Sequence, residues 1–355
     1  DASWSRGLGD VYKRQLSHSM GDDNAMQFDS IGYRHRISNP TWYNPFKKRK
    51  GAGITHVDFS IAKGSIIGLV GTNGAGKTTL LRMISGILPL DEGTIKRDGI
   101  VLDSDALRSL VGCMPEQVRW SSQATIRRTM TEFAHLRGCT VQSALDVLAV
   151  VGLKNRMDST LDSLSQGMRQ RLSLGVALLG TPRVLILDEP FNGMDPVAID
   201  AFKRLLRSLA NTGISIVVSS HHLAELDHLV DTIALLHRGQ LLAHGTTDSL
   251  RTRLGFERVT EIVLDRAIDE ELLQAMTILE HVESEGLHRY VIESAQHDLL
   301  EVLVAKNHNI STWRVVPPTL IELLCAATGM DRETIGMDVE QSSMLPFRTV
   351  GGEEE

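Results

Sequence analysis

The run Gly71-Thr72-Asn73-Gly74-Ala75-Gly76-Lys77-Thr78-Thr79 constrains this chain of 355 residues more than any other feature. It fits the pattern G-x-x-x-x-G-K-T, follows the apolar run Ile66-Ile67-Gly68-Leu69-Val70, and opens a stretch with helical spacing at Leu80, Leu81, Met83 and Ile84. A strand, a glycine loop and a helix in that order form a phosphate cradle. The glycines let successive backbone N–H groups curl around anionic oxygens, and the helix N-terminus adds its partial positive charge. Lys77 is expected to reach the β- and γ-phosphates of a nucleotide, and Thr78 to ligate Mg²⁺. The fold class that follows is α/β, with a phosphate-loop core.

Val184-Leu185-Ile186-Leu187 is apolar at every position rather than at alternate ones. That is the pattern of a central strand in a parallel sheet covered on both faces. Asp188 and Glu189 therefore emerge at its carboxyl end, where ligand chemistry sits in open α/β sheets. Asp188 is expected to hold Mg²⁺ through its water shell. Glu189 is placed to accept a proton from, or orient, a water attacking the γ-phosphate. Upstream, Leu164-Ser165-Gln166-Gly167-Met168 precedes a helix expected to bury Leu172, Val176 and Leu179 on one face, with its N-terminus aimed at an anion. Downstream, the strand Ile214 to Val218 ends in Ser219-Ser220-His221-His222.

Taken in order, these motifs resemble the nucleotide-binding subunit of ATP-binding cassette (ABC) transporters, from about Phe28 to about Thr246. They are most similar to the ATPases of ABC-2 type and multidrug exporters. The resemblance makes Ser165, Gln166, Gly167 and Met168 the family signature, usually Leu-Ser-Gly-Gly-Gln, which closes on the ATP held by the other subunit. Ser165 and Gly167 are kept; Gln166 and Met168 depart from it. Asp195, in Gly193-Met194-Asp195-Pro196, resembles the family's D-loop, which lies between the two cassettes, and His221 the switch histidine that contacts the γ-phosphate, with His222 as its competitor. Alignment on Pro115 puts Glu116 in the place of a Gln that senses Mg²⁺ and the membrane partner, with Gln117 one residue late. Tyr33 matches the aromatic that stacks on adenine, although about fifteen extra residues separate it from the next strand. That insert carries Trp42, Tyr43, Phe46 and the run Lys47-Lys48-Arg49-Lys50.

The function so implied is hydrolysis of ATP, with ATP and Mg²⁺ as cofactors. The partners implied are a second ABC ATPase subunit, identical or paralogous, bound head to tail around two ATP, and a separate multi-span membrane permease. The chain is expected at the cytoplasmic face of the membrane, and in the cytoplasm when free. The alternative is a soluble ABC ATPase that acts on a macromolecular partner without transport. A formal net charge of −7 argues against nucleic acid as that partner. No apolar run approaches the ~18 residues that a membrane span requires. Cys113, Cys139 and Cys325 are widely spaced and cannot all pair, which fits a reducing compartment and no metal site.

Residues 1–25 are set apart as an artefactual or disordered leader, because Asp10-Val11-Tyr12-Lys13-Arg14-Gln15 looks like translated adapter sequence. The ABC ATPase domain is expected over 26–250, with an antiparallel β edge and a helical subdomain at about 117–180 that carries helices over Thr125 to Leu136 and Val141 to Val151. From 257 to 330 the rhythm is βαββαβ, a small α+β accessory domain of ferredoxin-like form. Thr319 and Glu322 form a capping box at its last helix. The tail, 331–355, lacks periodicity, ends in Glu353-Glu354-Glu355, and is expected to be disordered.

Overall fold

The computed structural model describes residues 24–330 apart from 39–47, 119, 121–122, 222, 227, 257–258, 274–275, 285, 294–296 and 317–318. Residues 1–23, the tail, Arg119, His222 and the aromatic residues Trp42, Tyr43 and Phe46 lie outside them, while Asn24 and Ala25, set apart above with the leader, instead belong to the first strand. Two compact units emerge, the first running to His244 and the second spanning Gly245–Ala327.

The first unit opens with β1 (Asn24–Ser38), β2 (Lys48–Ala62) and β3 (Ile66–Val70), then α1 (Lys77–Ile84). There follow β4 (Glu92–Arg97), β5 (Ile100–Val101), α2 (Ser104–Leu110), β6 (Val111–Met114), α3 (Ile126–Leu136) and α4 (Val141–Val150). Then come α5 (Gln166–Leu178), β7 (Val184–Asp188), α6 (Pro196–Asn211), β8 (Ser215–Ser219), α7 (Leu223–Leu226), β9 (Thr232–His237) and β10 (Gln240–Gly245).

Six strands form one sheet in the order β10-β9-β3-β8-β7-β6, and the β3/β9, β3/β8, β8/β7 and β7/β6 pairs are parallel. All five residues of β3, of β7 and of β8 are buried, because elements cover both faces of the sheet. The antiparallel edge is a second sheet, β2-β1-β4-β5. Phe28 and Phe59 stack at 4.4 Å in its apolar face, in one cluster with Ile95, Ile67, Leu80, Ile84 and Val217.

The sequence reading treats the stretch after Tyr33 as an insert, and the structure differs. β1 runs on to Ser38 and pairs Arg36 with Lys50, Ile37 with Arg49 and Ser38 with Lys48, while Tyr33 pairs with Ile54. Ladder hydrogen bonds join backbones and need no apolar side chains, so a polar extension continues as a hairpin. α5 also differs. Instead of one buried face it buries Leu172, Ser173, Leu174, Gly175, Ala177 and Leu178, because it packs against β6, α3, α4 and α6. α3 and α4 start where Thr125 and Thr140 accept from the N–H groups of Arg128 and Ser143, each capping its helix.

The second unit carries α8 (Thr247–Arg253), β11 (Val259–Leu264), α9 (Glu270–Leu273), β12 (Thr277–Ser284), β13 (Leu287–Glu293), α10 (His297–Ala305), β14 (Ile310–Val316) and α11 (Leu320–Thr328). Its sheet has the order β12-β13-β11-β14, antiparallel throughout, which is the βαββαβ ferredoxin-like arrangement. One face buries Ile262, Leu264, Tyr290, Ile292 and Leu303, and the Tyr290 hydroxyl accepts from the Ile268 N–H. On the other, the guanidinium groups of Arg289 and Arg314 both donate to the Glu261 carboxylate.

Candidate nucleotide site

The loop between β3 and α1 lines a cavity of about 710 Å³. Gly76 caps α1 at φ +104, a conformation open to glycine at little cost, and Gly74 has φ +73. At Gly71 any side chain is excluded by packing, since a Cβ would lie 2.2 Å from the Leu236 carbonyl oxygen. Asn73, Gly74, Ala75, Gly76, Lys77, Thr78 and Thr79 all line the cavity. Thr72 is buried beside them. Lys77 Nζ donates to the Gly71 and Thr72 carbonyls at 2.7 and 3.3 Å. Burial pushes its ammonium below the ordinary lysine value, and the negative charges of Glu189 and Asp188 act against that. A half-buried cation held by two carbonyls at the cavity wall is chemically suited to a phosphate oxygen.

Across the cavity stands the carboxyl end of β7. The hydroxyl of Ser219, at the end of β8, donates to Asp188 Oδ1 at 2.6 Å and accepts from the Glu189 N–H at 3.2 Å. Glu189 has φ +51, uncommon for a side chain of its size, just where the strand turns into Pro190. Its Oε2 accepts from the His221 backbone N–H at 3.1 Å and lies 2.7 Å from His221 Nδ1. Two parallel strands thus deliver an acid and an imidazole to one rim. Glu116 enters from the segment after β6. Its carboxyl is pushed above the ordinary value, first by burial and then by the negative charges of Asp188 and Glu189, with His221 opposing. Gln117 lines a smaller adjoining cavity of about 220 Å³ with Thr78, Asp188, Glu116 and Cys113. Burial pushes the Cys113 thiol up to about 11, so it stays neutral.

Comparison with known proteins gives this arrangement a family. Residues 54–192 match the family model described as ABC transporter. Over 288 residues the chain is 31% identical to the linearmycin resistance ATP-binding protein LnrL of Bacillus subtilis, an alignment that covers 77% of this chain and 92% of that protein. The bacitracin transport ATP-binding protein BcrA of Bacillus licheniformis is 36% identical over 204 residues, 56% of this chain and 67% of its own. A solved structure of an ATP-binding subunit of an ABC transporter aligns with a TM-score of 0.53 at 25% identity, over 70% of this chain and 98% of that one. The chain belongs to the ATP-binding subunits of ABC transporters. It is an ATPase subunit of that family.

The segment expected to be the signature, Ser165 to Met168, sits apart from the cavity. Ser165 is the N-cap of α5, accepting from the Met168 N–H at 3.3 Å, and none of Ser165, Gln166, Gly167 and Met168 lines the cavity that holds Lys77 and Glu189. A Cβ at Gly167 would lie 3.3 Å from the Cβ of Ala198, so within the subunit this glycine admits the start of α6. Asp195 caps α6, its carboxylate accepting from the Ala198 N–H at 2.9 Å.

Tyr33 is not among the residues that line the cavity. Its ring packs against the apolar cluster of the first unit because the residues flanking it are held in the β1/β2 ladder. On the β1 side of the cavity the lining ring is that of His35, edge-on to Tyr33 at 5.1 Å, with Nε2 3.2 Å from Thr79 Oγ1. The tip of the β9–β10 hairpin also went unread in the sequence. Arg238, Gly239 and Gln240 line the cavity, and the Gly239 N–H donates to the Ala75 carbonyl at 2.8 Å. A two-residue Arg-Gly turn between apolar strands was its only sequence signal.

Proposed function

We propose that two of these cassettes, identical or paralogous, close head to tail around two ATP molecules and drive a separate multi-span permease from the cytoplasmic face of the membrane. The observation that carries this reading is the Glu189 carboxylate held by His221 across one cavity from Lys77 and its loop. Lys77 and the loop residues 71–79 bind the phosphates, Glu189 orients and deprotonates the attacking water, and His221 keeps that carboxylate in place and meets the γ-phosphate. The signature at Ser165 to Met168 and the D-loop Asp195 serve the partner's ATP. The absence of the signature from the lining of its own subunit's cavity supports this division.

Mg²⁺ fits the oxygen donors present. Among the described residues there is no group of three or more His, Cys, Asp or Glu able to hold a metal ion, and Mg²⁺ does not ask for one. It is usually held by one or two carboxylates together with substrate phosphates and water. Asp188, one of whose oxygens is engaged by Ser219, and Thr78 would hold it, with Glu116 or Gln117 within the same pair of adjoining cavities. Bound there, the ion would neutralise charge on the β- and γ-phosphates.

Glu189→Gln tests the reading, since the amide still accepts hydrogen bonds but is a far weaker base. Turnover is expected to fall about 10²- to 10⁴-fold while ATP binding persists. The variant is also expected to accumulate as an ATP-bound dimer, seen by size-exclusion chromatography with light scattering. Near-normal steady-state hydrolysis, or an ATP-bound monomer, would overturn the proposal.

A further inference from the structure

The signature of this chain carries Gln166 where its family usually has glycine, and the side chain has a partner within the same subunit. Gln166 Nε2 donates to the Asn192 carbonyl at 3.3 Å. The next residue, Gly193, has φ +73, and its bare α-carbon lies under the same side chain: a Cβ there would come 3.2 Å from Gln166 Cγ. Asn192 in turn donates its N–H to the Glu189 carbonyl at 3.4 Å, and the Met194 N–H donates to the Phe191 carbonyl at 3.1 Å. A continuous path therefore runs from the Glu189 carbonyl through Asn192 to Gln166, at the first turn of α5.

We propose that Gln166 is a positioning residue for hydrolysis. Its amide ties the signature turn to the turn that begins at Glu189, so the carboxylate serving one ATP and the signature offered to the other move as one body. A glycine at 166 has no side chain with which to make this tie. In a head-to-tail pair the consequence is communication between the two sites. The inference rests on the two-site dimer proposed above.

Gln166 is exposed, so its substitution leaves the core untouched. In the full chain, Gln166→Met keeps the length and removes the donor, whereas Gln166→Lys keeps a donor. The dependence of steady-state hydrolysis on ATP concentration gives kcat, KM and the Hill coefficient. Gln166→Met is expected to lower kcat about three- to tenfold, the range of one neutral hydrogen bond, and to bring the Hill coefficient to about 1. Titration with a fluorescent ATP analogue should show unchanged affinity of the subunit for nucleotide, and Gln166→Lys should regain most of the loss. Wild-type kcat and cooperativity in Gln166→Met would overturn the proposal. So would a deficit that Gln166→Lys shares in full, or one explained by weaker nucleotide binding. ATP-driven dimerisation of Glu189→Gln, measured in parallel, separates the two readings. If no dimer forms, the two-site reading falls and this inference with it, whereas a dimer alongside an unaffected Gln166→Met removes the tie alone.

Discussion

Glu189 pays for its position with a left-handed backbone, which for a residue with a Cβ costs about 1–2 kcal/mol. Hydrogen bonds from its N–H to the Ser219 carbonyl and hydroxyl, and to its side chain from His221, hold it there. Ser219 thus orients the Asp188 carboxylate and holds the Glu189 backbone, and it is not among the residues that line the cavity. Ser219→Ala should lower kcat about tenfold with little change in ATP affinity, because each lost hydrogen bond to a charged group is worth about 1.5–3 kcal/mol and relaxation recovers part of it. Single-turnover hydrolysis beside equilibrium binding checks this. Lys77→Ala should damage affinity as well as rate if, as proposed, its ammonium contacts phosphate directly. For the nucleoside end, His35→Ala is expected to weaken ATP binding more than Tyr33→Ala, and calorimetric titration of both decides it. Base stacking contributes about 1–3 kcal/mol, so a ring that carries it is not missed. A larger loss at Tyr33, with its variant still folded by circular dichroism, would return the stacking role to Tyr33.

At the scale of elements, what could be read in the sequence was what local chemistry decides. The unbroken apolar run at Val184 to Leu187 announced a strand buried on both faces, and the βαββαβ rhythm read from 257 onward is the order in which β11, α9, β12, β13, α10 and β14 follow one another. The capping box at α11 forms reciprocally: the Thr319 N–H donates to Glu322 Oε2 at 2.7 Å, and the Glu322 N–H to Thr319 Oγ1 at 3.3 Å. What stayed hidden were contacts between distant segments. Nothing local to Arg238-Gly239-Gln240 says that this turn braces a loop more than 160 residues earlier, or that Ser219 reaches Asp188. Gly239 shows the constraint most sharply. Its φ is +79, and a Cβ would fall 1.9 Å from the Gly53 carbonyl oxygen, while its own carbonyl accepts from the Thr55 N–H at 2.9 Å. Gly239→Ala must therefore separate the hairpin from the β2 strand. A lower melting temperature together with weaker ATP binding is expected, and an unperturbed variant would show that the hairpin does not brace the loop. In the second unit, Arg289 and then Arg314 hold the Glu261 carboxyl below its ordinary value. A depressed carboxylate stabilises the fold above its unfolded value and loses that contribution as pH falls through the folded one. The melting-temperature gap between the native chain and Glu261→Gln should therefore be full at neutral pH and narrow below about pH 4.3, the unperturbed value for Glu.

At the scale of the whole molecule, an ATPase cassette performs work on cargo only through a polypeptide that crosses the membrane. Among the described residues no helix is long and apolar enough to do so. The permease proposed above would supply that polypeptide. If attachment runs through such a partner, it is made of protein contacts and not of buried hydrocarbon. In its native host the chain should then sediment with membranes, co-purify with a multi-span protein in mild detergent, and come free under an alkaline carbonate wash that leaves spanning proteins in the pellet. The wash distinguishes the cases because it disrupts charge-dependent protein contacts and leaves apolar helices in lipid. A chain that resists it would have its own hold on the bilayer. A chain recovered wholly in the supernatant before any wash would have no permease, and the coupling of Glu189-driven hydrolysis to export would have to be abandoned.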